Sequence, residues 1–585
     1  MYDKWNLDIL YKGYDDPAFL NDWKKLEQIL EELKQFAKDC QKMEDLKMLK
    51  EAVAVLENYH LVGERLGSFV SLRQATDTTD AQTVSLIARF SKLVSQSGEA
   101  EAMINKRIAA VSDLDALIKQ DEVLQEYAYL FHNIKEENRY LLDDAVEGVI
   151  AKLNLSGPKG WEDLQQYLTS TLIVDYKGSN ETLSSIRNMA YSADKEVRKS
   201  AYEAELKAYD KIKEAIAFSL NNLKSYVNTI VELRGYDSAL DMTLKQAHMK
   251  QETLDAMFGA MKRFMPKFHA YYRRKAELLG YQNGLPWYEL FAPMGESSQV
   301  FTPESAHRYL LDHFKDFDME LHDMIDRAFK EEWIDFFPRS GKVGGAFCAN
   351  LTAQKVSRVL TNFDGGLGDV VTLAHELGHA FHGQQIESHR PLNTDYSMPV
   401  AETASTFNEN IIMNAAIAET SDPQEKAALI ENQLQDLSQI ICDIYSRFLF
   451  EDTVFNRCKN EFLFAKDLEE IMLEAQKEAY GNGLDHDVLH PYMWICKSHY
   501  YSAHLSYYNF PYAFGGLFAR GLIVKYQQEG KAFVEKYKQL LHATTVADVE
   551  EVAKMADIDL TDQAFWESSL QTASDLIDQY LELTK

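Results

Sequence analysis

Apolar residues recur at helical spacing through most of the chain. Leu26, Ile29, Leu30 and Leu33 form an i, i+3, i+4, i+7 stripe with lysine and glutamate between them, which predicts an amphipathic helix. No proline interrupts the stretch from Ala18 to Gly157, and its richness in Leu, Ala, Glu, Lys and Gln predicts further helices. The polar run Ala75–Asp80 reads as a loop between two of them, and Leu155-Ser-Gly-Pro-Lys-Gly160 as a stronger break. Helical spacing resumes from about Ser192 to Arg234 and is closed by Gly235. Between about 284 and 368 the pattern changes: Pro286, Pro293, Pro303, Pro338 and Gly344-Gly345 mark turns among short β-prone runs. Residues 355–363 are the best strand candidate, although Val356, Val359, Leu360 and Phe363 do not alternate cleanly. From the loop Asp364–Asp369 onward, helix dominates again. The expectation is a mainly α protein with one small β-sheet, organised as an N-terminal helical region at 1–155, a linker and sub-domain junction at 156–195, and a larger region at 196–585.

Length and charge narrow this picture. A chain of 585 residues exceeds what one core usually holds. Its formal charge of −30, from 61 Lys+Arg against 91 Asp+Glu, argues against nucleic acid and against anionic lipid as partners. The opening Met-Tyr-Asp-Lys-Trp-Asn-Leu-Asp has acids where a secretory signal needs a basic stretch. No run of about 18 apolar residues occurs. Five dispersed cysteines lack any C-x-x-C spacing, so neither a disulfide framework nor a thiolate metal site is expected. A cytoplasmic location follows as the expectation.

The chemistry enters at Val371-Thr-Leu-Ala-His-Glu-Leu-Gly-His-Ala-Phe-His-Gly383. On a helix His375 and His379 share one face and can reach one ion, while Glu376 lies beside it, near enough to touch a water. Imidazole nitrogens suit Zn²⁺, which keeps a position for water in catalytic sites. A His-Glu-x-x-His match arises by chance at below roughly 0.07 per chain of this composition. Two surface histidines on an ordinary helix are the plain alternative. The flanking Val370, Val371, Leu373, Ala374, Leu377, Ala380 and Phe381 speak against it, because they make the helix apolar nearly all round and therefore buried. A third ligand is needed. Glu402 and Glu409, seven apart, lie on one helical face beside the small Ala401, Ala404 and Ser405. His382 and His389 compete, but His382 is turned away from His379.

His375-Glu-Leu-Gly-His379, followed 23 residues later by Glu402 in Val-Ala-Glu-Thr-Ala-Ser-Thr-Phe, resembles the thimet oligopeptidase family in its bacterial oligoendopeptidase F branch. So do Leu360-Thr-Asn-Phe-Asp-Gly-Gly-Leu-Gly-Asp-Val370, Gly341-Lys-Val-Gly-Gly-Ala-Phe-Cys348 and Trp5-Asn-Leu-Asp-Ile-Leu-Tyr11. The resemblance implies His375, His379 and Glu402 as ligands of one Zn²⁺, with Glu376 as catalytic base. Glu409 then becomes a candidate to orient a ligating imidazole. Asp369 is a weaker candidate for that task, with helix capping as its alternative. The implied fold is an elongated helical body enclosing a deep channel, with the small β-sheet preceding the zinc-binding helix of a zincin-like core.

A second cluster lies downstream. Between His499 and Tyr512 the chain packs five tyrosines and two histidines. Phenol and imidazole donors suit the oxyanion of peptide hydrolysis, and an aromatic core stripe is the alternative. The resemblance assigns His499, Tyr508 and Tyr512 to the active site; Tyr501, His504 and Tyr507 remain candidate cleft residues. The function implied is a zinc endopeptidase acting on short unfolded peptides admitted by the channel. A carboxypeptidase of similar fold, or a helical peptide-binding scaffold with a residual zinc site, are the rivals. Net charge further suggests acids near the metal that disfavour anionic peptides.

Overall fold

The computed structural model describes residues 3–295 and 299–585. Met1 and Tyr2 of the acidic opening, and residues 296–298 of the turn-rich middle, lie outside them. The first long helix, α1 (Pro17–Asp39), is started by Asp16, whose side chain accepts from the Ala18 N–H, and by Pro17 in its first turn. It buries Leu26, Ile29, Leu30 and Leu33, the stripe read from the sequence. Helix α2 (Asp45–Thr76) ends where the polar run begins, and Asp80 caps the helix that follows. Helix α3 (Lys213–Arg234) stops at Gly235, whose φ of 79° supplies the left-handed cap.

Six more helices build the rest of the frame: α4 (Gln251–Leu278), α5 (Leu367–Ile386), α6 (Thr403–Glu419), α7 (Pro423–Ser438), α8 (Phe510–Glu529) and α9 (Gln563–Leu583). Helix α5 packs on α6, α6 on α8, and α8 on α9, which also holds α4 and α7. Shorter helices fill the connections.

Among the described residues two small sheets interrupt the helices. Strands β1 (Ile173–Tyr176) and β2 (Ser179–Thr182) form an antiparallel hairpin. Strands β3 (Ile334–Asp335), β4 (Phe347–Leu351) and β5 (Val356–Leu360) form a second sheet in the order β3-β5-β4, with β5 parallel to β3 and antiparallel to β4. Every residue of β5 is buried. That explains the missing alternation, since a central strand covered on both faces has no side turned to solvent. Helix α5 lies against β4 and β5.

The main core joins residues from Trp5 to Tyr580, so α1 and α2 share it with the helices around α5. A second core unites Leu172–Leu223 with Phe450–Ala503, and a third lies within the N-terminal helices. The segment 156–195, expected as a linker, is folded instead. It carries the helix Pro158–Thr171, the β1–β2 hairpin and the helix Leu183–Asn188. Its Gln165 donates to the Ile495 carbonyl at 2.9 Å. Among the described residues no helix is long and apolar enough to cross a membrane.

Candidate functional site

Helix α5 carries His375 and His379 one turn apart, with ring centroids 4.9 Å from each other. Their Nε2 atoms both lie 3.3 Å from Oε2 of Glu402. Ligand atoms of His375, Glu376 and His379 also fall within 4.8 Å of one another. Glu402 belongs to no helix interior: it is the hinge between the short helix Met398–Ala401 and α6. One turn and more into α6, Glu409 accepts from Nδ1 of His375 at 2.9 Å. That bond fixes the ring so that Nε2 faces Glu402. Ser405 donates to the same Glu402 oxygen at 2.8 Å.

Close approach of backbones sets this geometry. Gly378 lies between the two histidines, and a β-carbon there would sit 2.5 Å from the Ala404 carbonyl oxygen and 2.6 Å from Ser405 Cα. On the opposite side Gly383 faces Asn350 of β4, whose amide carbon would be 2.4 Å from such a β-carbon. Asn350 in turn donates to the His379 carbonyl at 3.2 Å, and Asn408 of α6 donates to the Ala374 carbonyl at 3.2 Å. Asp369 has the capping task and not the imidazole-orienting one. Its Oδ2 accepts from the N–H groups of Asp364, Gly365 and Gly366 at 2.9–3.0 Å, which ties the entering loop to the first turn of α5.

The competing histidines are engaged elsewhere. His382 is fully buried, bonded through Nε2 to Thr544 Oγ1 at 2.8 Å and stacked on Tyr396. His389 meets Glu126 and the His542 carbonyl.

In the tyrosine-rich segment the structure separates two groups. His499, Tyr508 and Tyr512 form one aromatic cluster, with centroid distances of 4.8 Å from His499 to Tyr508 and 5.5 Å between the tyrosines. The three other candidates are not with them. Tyr501 is core, its hydroxyl bonded to the Trp494 carbonyl at 2.9 Å. Tyr507 is also core, packed on Phe448 and Phe455 with its hydroxyl on Asp452. His504 lines a separate cavity with Tyr140, His248 and Asp548. The cause is backbone pinning. Buried Glu451 accepts from Lys224 Nζ at 2.7 Å, from Tyr507 N–H at 3.1 Å and from Asn509 Nδ2 at 2.9 Å. Tyr507, at a φ of 52°, turns the chain there, so its ring goes inward and that of Tyr508 goes the other way.

A cavity of 830 Å³ brings the parts together: His375, Glu402 and Glu409 line it with Tyr512, Asp436 and Arg520. Charges in and around it are strongly perturbed. Burial alone would raise the Glu402 carboxyl, but bonds to His375 and His379 prevail and hold it well below the usual range. Burial opposes charge on His375, yet its bonds to Glu402 and Glu409 push it up to about 10. Glu376, only 5% exposed, is raised by burial against the pull of both histidines. Burial, then the charges of Arg447 and Lys497, push His499 down. Burial raises the Tyr512 phenol, and Tyr508 adds to this. Asp436 opens on the cavity, but the protein mass around it, together with Glu409 and Glu431, pushes its carboxyl up to about 6. Asp436 and Arg520 escaped the sequence reading. Arg520 was open to it, since Tyr512, Gly516 and Arg520 recur every four residues on α8. Nothing local singles out Asp436.

The sequence model of peptidase family M3 matches residues 188–293 and 307–572, and that of Oligopeptidase F matches residues 111–173. Oligopeptidase PepF of Bacillus subtilis is 23% identical over 595 residues, covering 99% of this chain and 87% of its own. An oligoendopeptidase F homolog of Lactococcus lactis is also 23% identical, covering 89% of this chain and 88% of its own. The fold is that of the crystal structure of oligoendopeptidase-F from Enterococcus faecium, with a TM-score of 0.72 at 20% identity over 97% of this chain and 99% of that one. The family models together span most of the residues that build the helical frame and the cavity, and the chain therefore belongs to peptidase family M3.

Proposed function

We propose that this peptidase is a zinc-dependent endopeptidase that hydrolyses internal bonds of short unfolded peptides. The observation that carries the reading is the meeting of His375 Nε2, His379 Nε2 and Glu402 Oε2, at 3.3 Å from each nitrogen to the carboxylate oxygen. Two imidazoles and one carboxylate, with no thiolate, are a donor set that fits a catalytic zinc and leaves a position for water. The mutual approach of these donors, with His375 already backed by Glu409, is what a site prepared for one cation requires. Cys348 is no competitor, since burial and the nearby Glu376 keep its thiol protonated.

When bound, zinc supplies positive charge that acidifies water and offsets charge developing on the carbonyl oxygen. Glu376 then takes the water's proton and returns it to the departing amine. Its buried carboxyl, raised above the ordinary range, is suited to holding that proton between the two transfers. Tyr512, its phenol raised by burial and by Tyr508, stays a protonated donor for the oxyanion with the Tyr508 ring beside it, and His499, held neutral, keeps one N–H for the same purpose or for orienting Tyr508. No covalent intermediate is required. The N-terminal helices 1–155, joined to the main core through α1 and α2, are read as one wall of the substrate channel. Cleavage of peptides blocked at both ends, lost with a chelator and restored by Zn²⁺, tests the reading; activity only on peptides with a free C-terminus, or undiminished by chelation, overturns it.

A further inference from the structure

Arg520 stands on the wall of the cavity that holds His375, Glu402 and Glu409. It is 6% exposed, and its Nη1 donates to Thr572 Oγ1 at 3.3 Å. No carboxylate of the described residues forms an ion pair with it. A guanidinium is a planar fork of N–H donors matched to the two oxygens of a carboxylate, and one long bond to a hydroxyl uses little of it. Burial pulls its pKa down to about 10, and Glu409 is the charged neighbour that counters this from a distance. A buried charge left so lightly compensated is costly, and an anion entering the cavity would relieve that cost.

The remaining charged groups on the cavity wall sharpen the point. Glu402, Glu409 and Asp436 are acids, so away from His375 an anionic group on a ligand meets repulsion along this wall, and Arg520 is the one arginine or lysine among the lining residues. A fixed guanidinium set apart from His375 and Glu402 does more than attract: it dictates where along the cavity a carboxylate can rest, and so which peptide bond lies beside His375 and Glu402.

We propose that Arg520 receives a carboxylate of the bound peptide and thereby sets the register in which the peptide is cleaved. This rests on the peptidase reading above. The carboxylate has two sources, the C-terminus of a short peptide or an Asp or Glu side chain. A C-terminal carboxylate would tie the cleaved bond to a fixed distance from the peptide's end. If Arg520 instead only steadies Glu409 behind His375, the charge of the peptide is irrelevant to it.

Fluorescently labelled peptides in two matched pairs decide the matter. One pair differs in a C-terminal acid or amide, the other in an internal Glu or Gln. Binding is measured by anisotropy on protein carrying Glu376→Gln, so that the peptide survives, and turnover is measured on the wild type. The carboxylate member of one pair is expected to bind at least about tenfold tighter, the worth of one charge-assisted contact, and the pair that responds identifies the source. Arg520→Gln should shrink that preference to within about twofold while leaving the neutral member's affinity in place. Arg520→Lys should keep part of it, because a point charge replaces the fork. Absence of preference in both pairs overturns the proposal, as does an Arg520→Gln protein that loses affinity equally for both members. Should Arg520→Gln fail to fold, the wild-type pairs and Arg520→Lys decide by the same criteria. Preference in binding without any turnover would remove the endopeptidase reading and leave the role of Arg520 standing.

Discussion

The carbonyl oxygen of Ala404 occupies the place where residue 378 would carry a β-carbon: built on Gly378, that carbon lies 2.5 Å from the oxygen. Helices α5 and α6 therefore touch through their backbones, and it is this contact that brings Glu402 and Glu409 within reach of His375. A flexible side chain could swing away from an added methyl group, whereas the main chain of α6 can yield only by moving as a whole. Gly378→Ala should cost about 2–3 kcal/mol, at the upper end of ordinary overpacking. Denaturant unfolding and bound-metal content should fall together; a folded, fully loaded variant would contradict the packing argument.

Glu376 is buried but takes no part in the capping bonds of α5, and glutamine matches its shape, so its charge is separable from the fold. Glu376→Gln should retain metal and melting temperature and lose more than about a thousandfold in kcat, with little change in KM. Metal analysis beside steady-state kinetics checks both halves.

Glu409 reaches His375 from the far side, at 2.9 Å. Glu409→Ala should weaken metal binding by about 10–100-fold without abolishing it. Competition with a chromogenic chelator reads the affinity, and excess Zn²⁺ should restore much of the turnover.

Glu451 links the buried Lys224 to the turn that aims Tyr508. Removing it strands a buried ammonium, so Glu451→Ala should destabilise the protein by about 3–5 kcal/mol. In whatever fraction still folds, kcat should fall with it; Tyr508→Phe is the control, expected to lower kcat while leaving stability within about 0.5 kcal/mol.

Asp436 supplies the pH-dependent case. Its carboxyl is raised to about 6 in the folded protein by its surroundings, by Glu409 and by Glu431, above the ordinary unfolded value near 4. The folded state therefore holds this proton more tightly, a stabilising effect fully present below about pH 4 and lost as pH rises through about 6. Asp436→Asn should raise the melting temperature of chelated protein at pH 7.5 and change it less at pH 4.5. An equal change at both values would mean that the carboxyl titrates normally.

The sequence by itself determined the helices and the paired histidines of the candidate site. Periodicity placed the buried stripe of α1, and Gly235 placed the end of α3, because such patterns act over a few residues. His375 and His379 were legible for the same reason: four residues make one helical turn. Glu402 was legible as a neighbour of small residues and through a family likeness. Its approach to both imidazoles, in contrast, depends on Gly378 meeting the backbone at Ala404, a contact between distant segments. Only the tertiary structure could separate Tyr508 and Tyr512 from Tyr501 and Tyr507, since a turn pinned by Glu451 decides which rings face inward. It alone turned Asp369 to capping and folded the segment expected as a linker. It also joined Arg520 and Asp436 to the cavity. Local spacing governs what a residue's immediate neighbours can be, while side chains that converge on one cavity from four helices are positioned by packing, which no single stretch of sequence contains.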